Sequence, residues 1–199
     1  MTAEKVRDAY ASVAGLYIEL FGSSEKSHPD DLAFITRHLA GRPGPVLDLG
    51  CGPGHLTAHL RSAGAEAIGI DLVPGFITHA RATHPGGDYR LGSLTSLDFA
   101  DESVGGILAW YSLIHLPPPD LDRALAEFHR VLTPGAPLVT GFVHGDEPGP
   151  FDHKVTTAYR WPVDDFATRL TRAGFTERAR STRPADDTQR PQAALAATA

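Results

Sequence analysis

"VLDLGCGPGHLTAHL", residues 46–60, opens as a short apolar run, passes through glycines at 50, 52 and 54, and resumes with leucines four residues apart. It reads as a buried strand, a tight turn and a helix. Glycines in such a turn let the chain reverse sharply and let a ligand press against bare backbone. The spacing is G-x-G-x-G, and His55 stands where a dinucleotide fingerprint needs its third glycine. A phosphate loop would end in Lys followed by Ser or Thr, and "GHLT" has no lysine. With no cation in the loop, a diphosphate is poorly served. A second strand-like run, "EAIGI", ends at Asp71, where a carboxylate can accept hydrogen bonds from both hydroxyls of a ribose. The pair points to an adenosine ligand without phosphates. The competing readings are a plain strand–helix turn for the glycines and a cap on a helix near Pro74 for Asp71.

Working outward, residues 4–21 set Val6, Tyr10, Val13, Tyr17 and Leu20 at three- and four-residue steps, which predicts one amphipathic helix. "GSSEKSHPDD" breaks it, and Ser27 or His28 caps a second helix running to about Leu39 with Pro29 in its first turn. Strand-like runs then fall at 45–49, 66–70, 88–91, 104–109 and 136–142, with helix-like runs at 54–63, 75–83 and 120–132. Such alternation implies a mostly parallel sheet with helices on both faces. After a helix at 163–173, "GFTERARSTR" and "RPQAALAATA" read as strands joined by "PADDTQ", a link short enough only for an antiparallel pair. The expected architecture is α/β: seven strands, the last two an antiparallel C-terminal hairpin. Residues 1–199 read as a single domain, with 1–40 a helical cap or lid and 45–199 the core.

The 199 residues carry a formal charge of -6, with no segment rich in Lys and Arg, which argues against a nucleic-acid partner. Cys51 is the only cysteine, so no internal disulfide forms and a reducing, cytoplasmic setting is expected. The first 25 residues lack the apolar core of a signal peptide, and no apolar run is long enough for a membrane span.

"VLDLGCGPG" followed by "GIDL" resembles the first motif and the following acidic position of class I S-adenosylmethionine-dependent methyltransferases. The likeness continues through "LTSLDFADESVGGILAWYSLIHLPPPDLDRALAEFHRVLTPGAPLVTGF", similar to that family's fourth- and fifth-strand region, and covers most of the chain. "AWYSLIH" with "TAYRWP" resembles small bacterial members of the family. The resemblance implies a Rossmann-like three-layer sandwich and S-adenosyl-L-methionine as cofactor. It sets Gly50, Gly52 and Gly54 against the methionine part and Asp48 under the loop near the amino group. Asp71 would hold the ribose and Leu72 lie beside adenine. Ser93 and Leu94 fall where the family often has Asp and a small residue near the adenine amino group. Gly105-Gly106 departs from the family's usual Asp after Phe, which would loosen the start of the fourth strand.

A sulfonium methyl is already activated, so alignment of the acceptor supplies much of the rate and aromatic faces favour the cation. What remains is removal of a proton from a neutral acceptor, work suited to histidine. His115 follows the fourth strand on its carboxyl side, where ligands of open α/β sheets collect; its alternative is a structural hydrogen bond to the "PPP" backbone. Trp110 and Tyr111 alternate faces, so one lines the cofactor pocket, Trp110 by the resemblance, and the other enters the core, with Tyr111 also a candidate acceptor contact. Tyr17 reads as a lid residue over the sulfonium and Tyr10 as acceptor contact or core. His144, His153, Tyr159, Arg160 and Trp161 lie in an irregular segment expected to shape the acceptor pocket, with Arg160 suited to an anionic acceptor or to a surface ion pair. His59, His79, His84 and His129 read as surface. No histidine pair has a carboxylate in a zinc-like arrangement, so no metal is expected. The function expected is methyl transfer to a small-molecule acceptor by a monomer or homodimer. The rivals are a non-methylating cofactor-binding module and, on weaker grounds, a nicotinamide-dependent oxidoreductase.

Overall fold

The computed structural model describes residues 2–186 and 189–199. The chain runs α1 (Ala3–Ser12), α2 (Ala14–Phe21), α3 (Pro29–Leu39), β1 (Pro45–Leu49), α4 (His55–Ser62), β2 (Glu66–Asp71), α5 (Pro74–Thr83), β3 (Asp88–Leu91), β4 (Gly106–Trp110), α6 (Pro118–Val131) and β5 (Pro137–Val143). It continues as β6 (Gly149–Phe151), β7 (Ala158–Arg160), α7 (Val163–Arg172), β8 (Thr176–Arg183) and β9 (Gln192–Thr198). Seven strands form one sheet in the order β3-β2-β1-β4-β5-β9-β8. β1 to β5 pair in parallel, and β9 runs antiparallel to both β5 and β8. The α/β reading with an antiparallel C-terminal hairpin is therefore correct, although part of the "PADDTQ" link lies outside the described residues.

Alternation along the central strands explains how one sheet carries two cores. Leu47, Ile107 and Leu138 belong to a cluster with Leu121, Leu125 and Phe128 of α6. Their neighbours Val46, Leu108 and Val139 join Ile35 and Leu39 of α3 and Leu60 of α4. Side chains one residue apart point to opposite faces, so a strand apolar at every position must be covered on both sides. Each fully buried Leu or Ile contributes roughly 1.5–3 kcal/mol, and removing one from these strands would leave a cavity. The order of strands reverses between β1 and β4, and their carboxyl ends splay apart there to leave a crevice.

Three local expectations are corrected. The amphipathic stretch at the N-terminus is two helices, because Val13 leaves helical geometry at φ -118 and ψ 12. The Ser12 hydroxyl donates back to the Ala9 carbonyl, a bond that competes with the helix ladder. Leu20 consequently faces solvent, half exposed. Gly105-Gly106 tightens the start of β4: a Cβ on Gly105 would lie 1.9 Å from the Pro43 carbonyl oxygen, and one on Gly106 would lie 2.9 Å from Leu39. The irregular segment after β5 holds the small hairpin of β6 and β7, whose three-residue strands are too short to show a period.

Candidate functional site

The glycine turn hangs from β2. Gly50 and Cys51 both donate their N–H to the Ile70 carbonyl, at 2.7 and 3.1 Å. All three glycines have positive φ, but they serve different neighbours. A Cβ on Gly50 would come within 2.4 Å of the Ser112 Cβ, so its bareness admits the chain after β4. Gly52 meets nothing nearer than a Tyr17 ring carbon at 3.7 Å, and both it and Gly50 line the crevice. Gly54 faces inward, where a Cβ would lie 2.7 Å from the Tyr89 ring and 2.8 Å from the Ala80 Cβ. It lets α4 seat on the core and does not face the crevice.

Asp48 lies beneath the turn, 1% exposed, and accepts a 2.6 Å hydrogen bond from the Thr57 hydroxyl. Burial pushes its carboxyl up to about 7, against the pull of Thr57. It ties β1 to α4 and does not line the crevice. Asp71 does line it. Its Oδ2 accepts the Gly52 N–H at 2.9 Å and its Oδ1 accepts the Val73 N–H at 2.8 Å. The acid thus stiffens the glycine turn and caps the start of α5, while each carboxylate oxygen keeps a lone pair for a further donor. Burial raises its pKa, and the backbone N–H groups pull the other way.

Leu72 and Leu94 flank the acid, with Gly92 between them in the lining. Ser93 is not brought there: its hydroxyl is held by Thr95 at 2.9 Å. Trp110 and Tyr111 both line the crevice, contrary to the alternation expected of a strand. Tyr111 has left the strand, with φ 55, and this left-handed residue swings its ring back to the same side. Facing them are Tyr10 of α1 and Tyr17 of α2, whose ring centroids are 5.4 Å apart, with Phe76 of α5 against both. Burial raises both tyrosine hydroxyls, Tyr17 to about 12. These rings enclose a narrow space of about 100 Å³.

His115 closes the crevice at the end of a short 3-10 turn, 4% exposed. Its Nδ1 lies 2.9 Å from the Thr157 carbonyl oxygen, which can only accept, so Nδ1 carries the proton. Nε2 is therefore the lone-pair nitrogen, and it accepts from the Tyr10 hydroxyl at 2.8 Å. Burial holds His115 below its ordinary pKa, which keeps the ring neutral near pH 7. His153 packs edge-on to it, centroids 5.2 Å apart, and is itself lowered to about 4, chiefly by burial.

The remaining expected acceptor residues divide. His144 and Arg160 line a separate cavity with Phe151 and Arg190. Tyr159 packs on the core cluster, and Trp161 is buried at 3% with the Arg169 guanidinium 4.4 Å over its ring. Neither lines the crevice. His59 is also not a surface group, because the Thr36 hydroxyl meets its Nε2 at 2.7 Å. Among the described residues no group of three or more His, Cys, Asp or Glu could hold a metal ion, and no helix is long and apolar enough to cross a membrane. Sequence reasoning missed Arg7, Phe76 and Ser112 in the crevice. Arg7 stands one turn before Tyr10, a signal that was readable; Ser112 depends on the left-handed turn at Tyr111, which leaves no trace in composition.

An open parallel sheet with a bare glycine turn, a ribose-ready acid at the end of β2 and aromatic walls defines the class. The chain belongs to the class I S-adenosylmethionine-dependent methyltransferases. Residues 46–135 match the family described as a methyltransferase domain. N-demethylindolmycin N-methyltransferase of Streptomyces griseus is 30% identical over 196 residues, covering 81% of this chain and 82% of that protein. Malonyl-[acyl-carrier protein] O-methyltransferase of Erwinia billingiae is 29% identical over 161 residues, 81% of this chain and 60% of the relative. The chain thus spans 60% of the length of that relative and 33% of its Yersinia pestis counterpart. In fold, the chain superposes on Burkholderia thailandensis 1,6-didemethyltoxoflavin-N1-methyltransferase, solved with its acceptor and S-adenosylhomocysteine. The TM-score is 0.80 at 21% identity, covering 98% of this chain and 88% of that one. It also superposes on the [4+2]-cyclase SpnF, TM-score 0.82 at 18% identity, covering 100% and 97%.

Proposed function

We propose that the chain transfers a methyl group from S-adenosylmethionine to a small-molecule acceptor whose O–H or N–H is deprotonated at His115. The observation that carries this is the bond from Tyr10 to His115 Nε2, set in the wall of the crevice that Gly52 and Asp71 floor. The residues present fit the cofactor: Gly52 offers bare backbone, Asp71 has spare lone pairs for ribose, and Ser112 holds a buried hydroxyl without a partner. When bound, the cofactor supplies a methyl on a sulfonium, ready for in-line displacement. The rings of Tyr10, Tyr17 and Trp110 exclude water and present faces that favour a cation. The narrowness of the crevice, about 100 Å³, supports reading α1 and α2 as a lid that stands further out to admit the ligand. Tyr10 stays protonated, because burial raises its pKa, so its O–H marks the direction from which an acceptor proton would reach Nε2. The Thr157 carbonyl stabilises the imidazolium that results. The relatives named for N-methylation of indolmycin and toxoflavin precursors support an acceptor of that size.

His115→Ala tests this. S-adenosylhomocysteine affinity should stay within about threefold, since its contacts lie at the turn and at Asp71, while turnover falls about 10²–10⁴-fold. The wild-type rate should lose activity as pH falls below the ordinary histidine value of 6.5, because the base must be neutral and its pKa is lowered. The variant should lack that limb. Turnover within about threefold of wild type would make His115 structural, and cofactor binding without any turnover would favour a binding module.

A further inference from the structure

The cavity beyond the crevice has a chemistry that the proposed reaction does not use. It is an open hollow of about 490 Å³ between the end of β5, the β6–β7 hairpin and the approach to β9. Its walls are tied together by backbone bonds: Trp161 donates to the Val143 carbonyl, Gly145 to the Trp161 carbonyl, and His144 to the Pro191 carbonyl. A site on such a frame holds its side chains in fixed relation. Two guanidiniums line it, Arg160 and Arg190. Arg160 packs its stem on Gly145, where a Cβ would come within 2.7 Å, and Arg190 stacks 4.7 Å over the Phe151 ring. Arg190, exposed, donates to the Asp152 carbonyl at 3.2 Å, and among the described residues neither guanidinium is paired with a carboxylate. His144 lines the same space, and its Nδ1 is buried without a hydrogen-bond partner.

An anion reaching both guanidiniums would gain charge-assisted, forked hydrogen bonds. Asp146 and Glu147 are also in the lining, both exposed, so the Arg and acid charges balance across the whole wall. A polyphosphate would be opposed by those acids; a single negative charge reaching the two arginines would not. Phe151 supplies an apolar wall beside Arg190 and lies 6.3 Å, centroid to centroid, from His153, which in turn packs on His115. The rings of Phe151 and His153 thus stand between the cavity and the His115 ring.

We propose that Arg160 and Arg190 form a carboxylate subsite for an acid-bearing acceptor, next to the wall of Phe151 and His153 that backs His115. The word acceptor rests on the methyltransferase reading; the anion site itself does not.

The probe is phenylacetate, with phenylacetamide and inorganic phosphate as controls, titrated into the full chain with and without S-adenosylhomocysteine. The readout is the guanidinium Nε–Hε resonances of Arg160 and Arg190. Saturable shifts of both with phenylacetate are expected, about tenfold or more tighter than with the amide or with phosphate, and weakened about tenfold or more by Arg160→Gln and by Arg190→Gln. Arg160→Lys should retain part of the affinity, since it keeps the charge and loses the fork, and it serves if the Gln variant fails to fold. Equal binding of the amide, tighter binding of phosphate, or affinity indifferent to these substitutions would overturn the subsite. Failure of S-adenosylhomocysteine to bind the wild type would refute the methyltransferase reading instead, and the titration without it would still report on the anion site.

Discussion

Replacing Asp71 with Asn tests the assignment of this acid with almost no change of shape. The carboxylate accepts the Gly52 N–H with one oxygen and the Val73 N–H with the other. An amide has one acceptor, so one of those N–H groups would face an NH2 group. The lost bond is one to a charged acceptor, worth about 1.5–3 kcal/mol, and leaving a buried donor unpaired brings the expected destabilisation to about 2–4 kcal/mol. A domain with about 5–15 kcal/mol of stability survives that, so the variant should fold and its urea midpoint should fall. The ligand consequence is separate. Two ribose hydroxyls that shared a carboxylate would share one amide oxygen, which should weaken S-adenosylhomocysteine by about 10–100-fold on calorimetry. An unchanged affinity with a lowered midpoint would leave Asp71 as a turn and helix cap only. An unchanged midpoint and affinity would refute the geometry as well.

The two glycines make a contrast: Gly54→Ala, blocked by Tyr89 and Ala80, should cost about 2–4 kcal/mol in denaturant titration yet leave the affinity of the folded fraction within about threefold. Gly52→Ala should do the reverse, with a stability loss of only about 1 kcal/mol and a calorimetric loss of cofactor of tenfold or more, because its open side is the crevice. Tyr10→Phe keeps the ring and removes the donor to His115, so turnover should change by less than about tenfold; a loss as large as that of His115→Ala would make Tyr10 an obligatory proton carrier. Burial lowers His55 to about 4 from an ordinary 6.5, so the unfolded chain takes up the proton first as pH falls. Stability present above pH 6.5 should therefore drain away between 6.5 and 4, and His55→Gln should flatten that fall by about 3 kcal/mol in pH-dependent melting.

The main strands were legible because β1, β2, β4 and β5 are apolar runs punctuated by glycine and proline, signals that survive without tertiary context; their order across the sheet was not. The turn at 50–54 and the acid at 71 were legible for the same reason: both sit at strand ends fixed by those runs. What each glycine serves was not, since Gly50 answers to Ser112 and Gly54 to Tyr89, partners 62 and 35 residues away in sequence. His115 was readable by position at the carboxyl side of β4, but its tautomer is set by the carbonyl of Thr157, which no side-chain pattern announces. Trp110 was placed by its position, but the expectation that Tyr111 would point to the opposite face failed because alternation assumes a continuing strand, and Tyr111 adopts positive φ. Trp161 and Tyr159 misled because an irregular, polar-looking segment folds into a hairpin against the core.

The measurement that bears most directly on the proposed reaction is the mass of the product. The chain is incubated with S-adenosylmethionine carrying a trideuterated methyl and a panel of small hydroxyl, amine and carboxylate-bearing acceptors, and the mixture is read by mass spectrometry against a His115→Ala control. The account predicts an acceptor heavier by one trideuteromethyl group, formed together with S-adenosylhomocysteine and strongly reduced in the control. Tight binding of the cofactor with its label retained, across every acceptor offered, would contradict it.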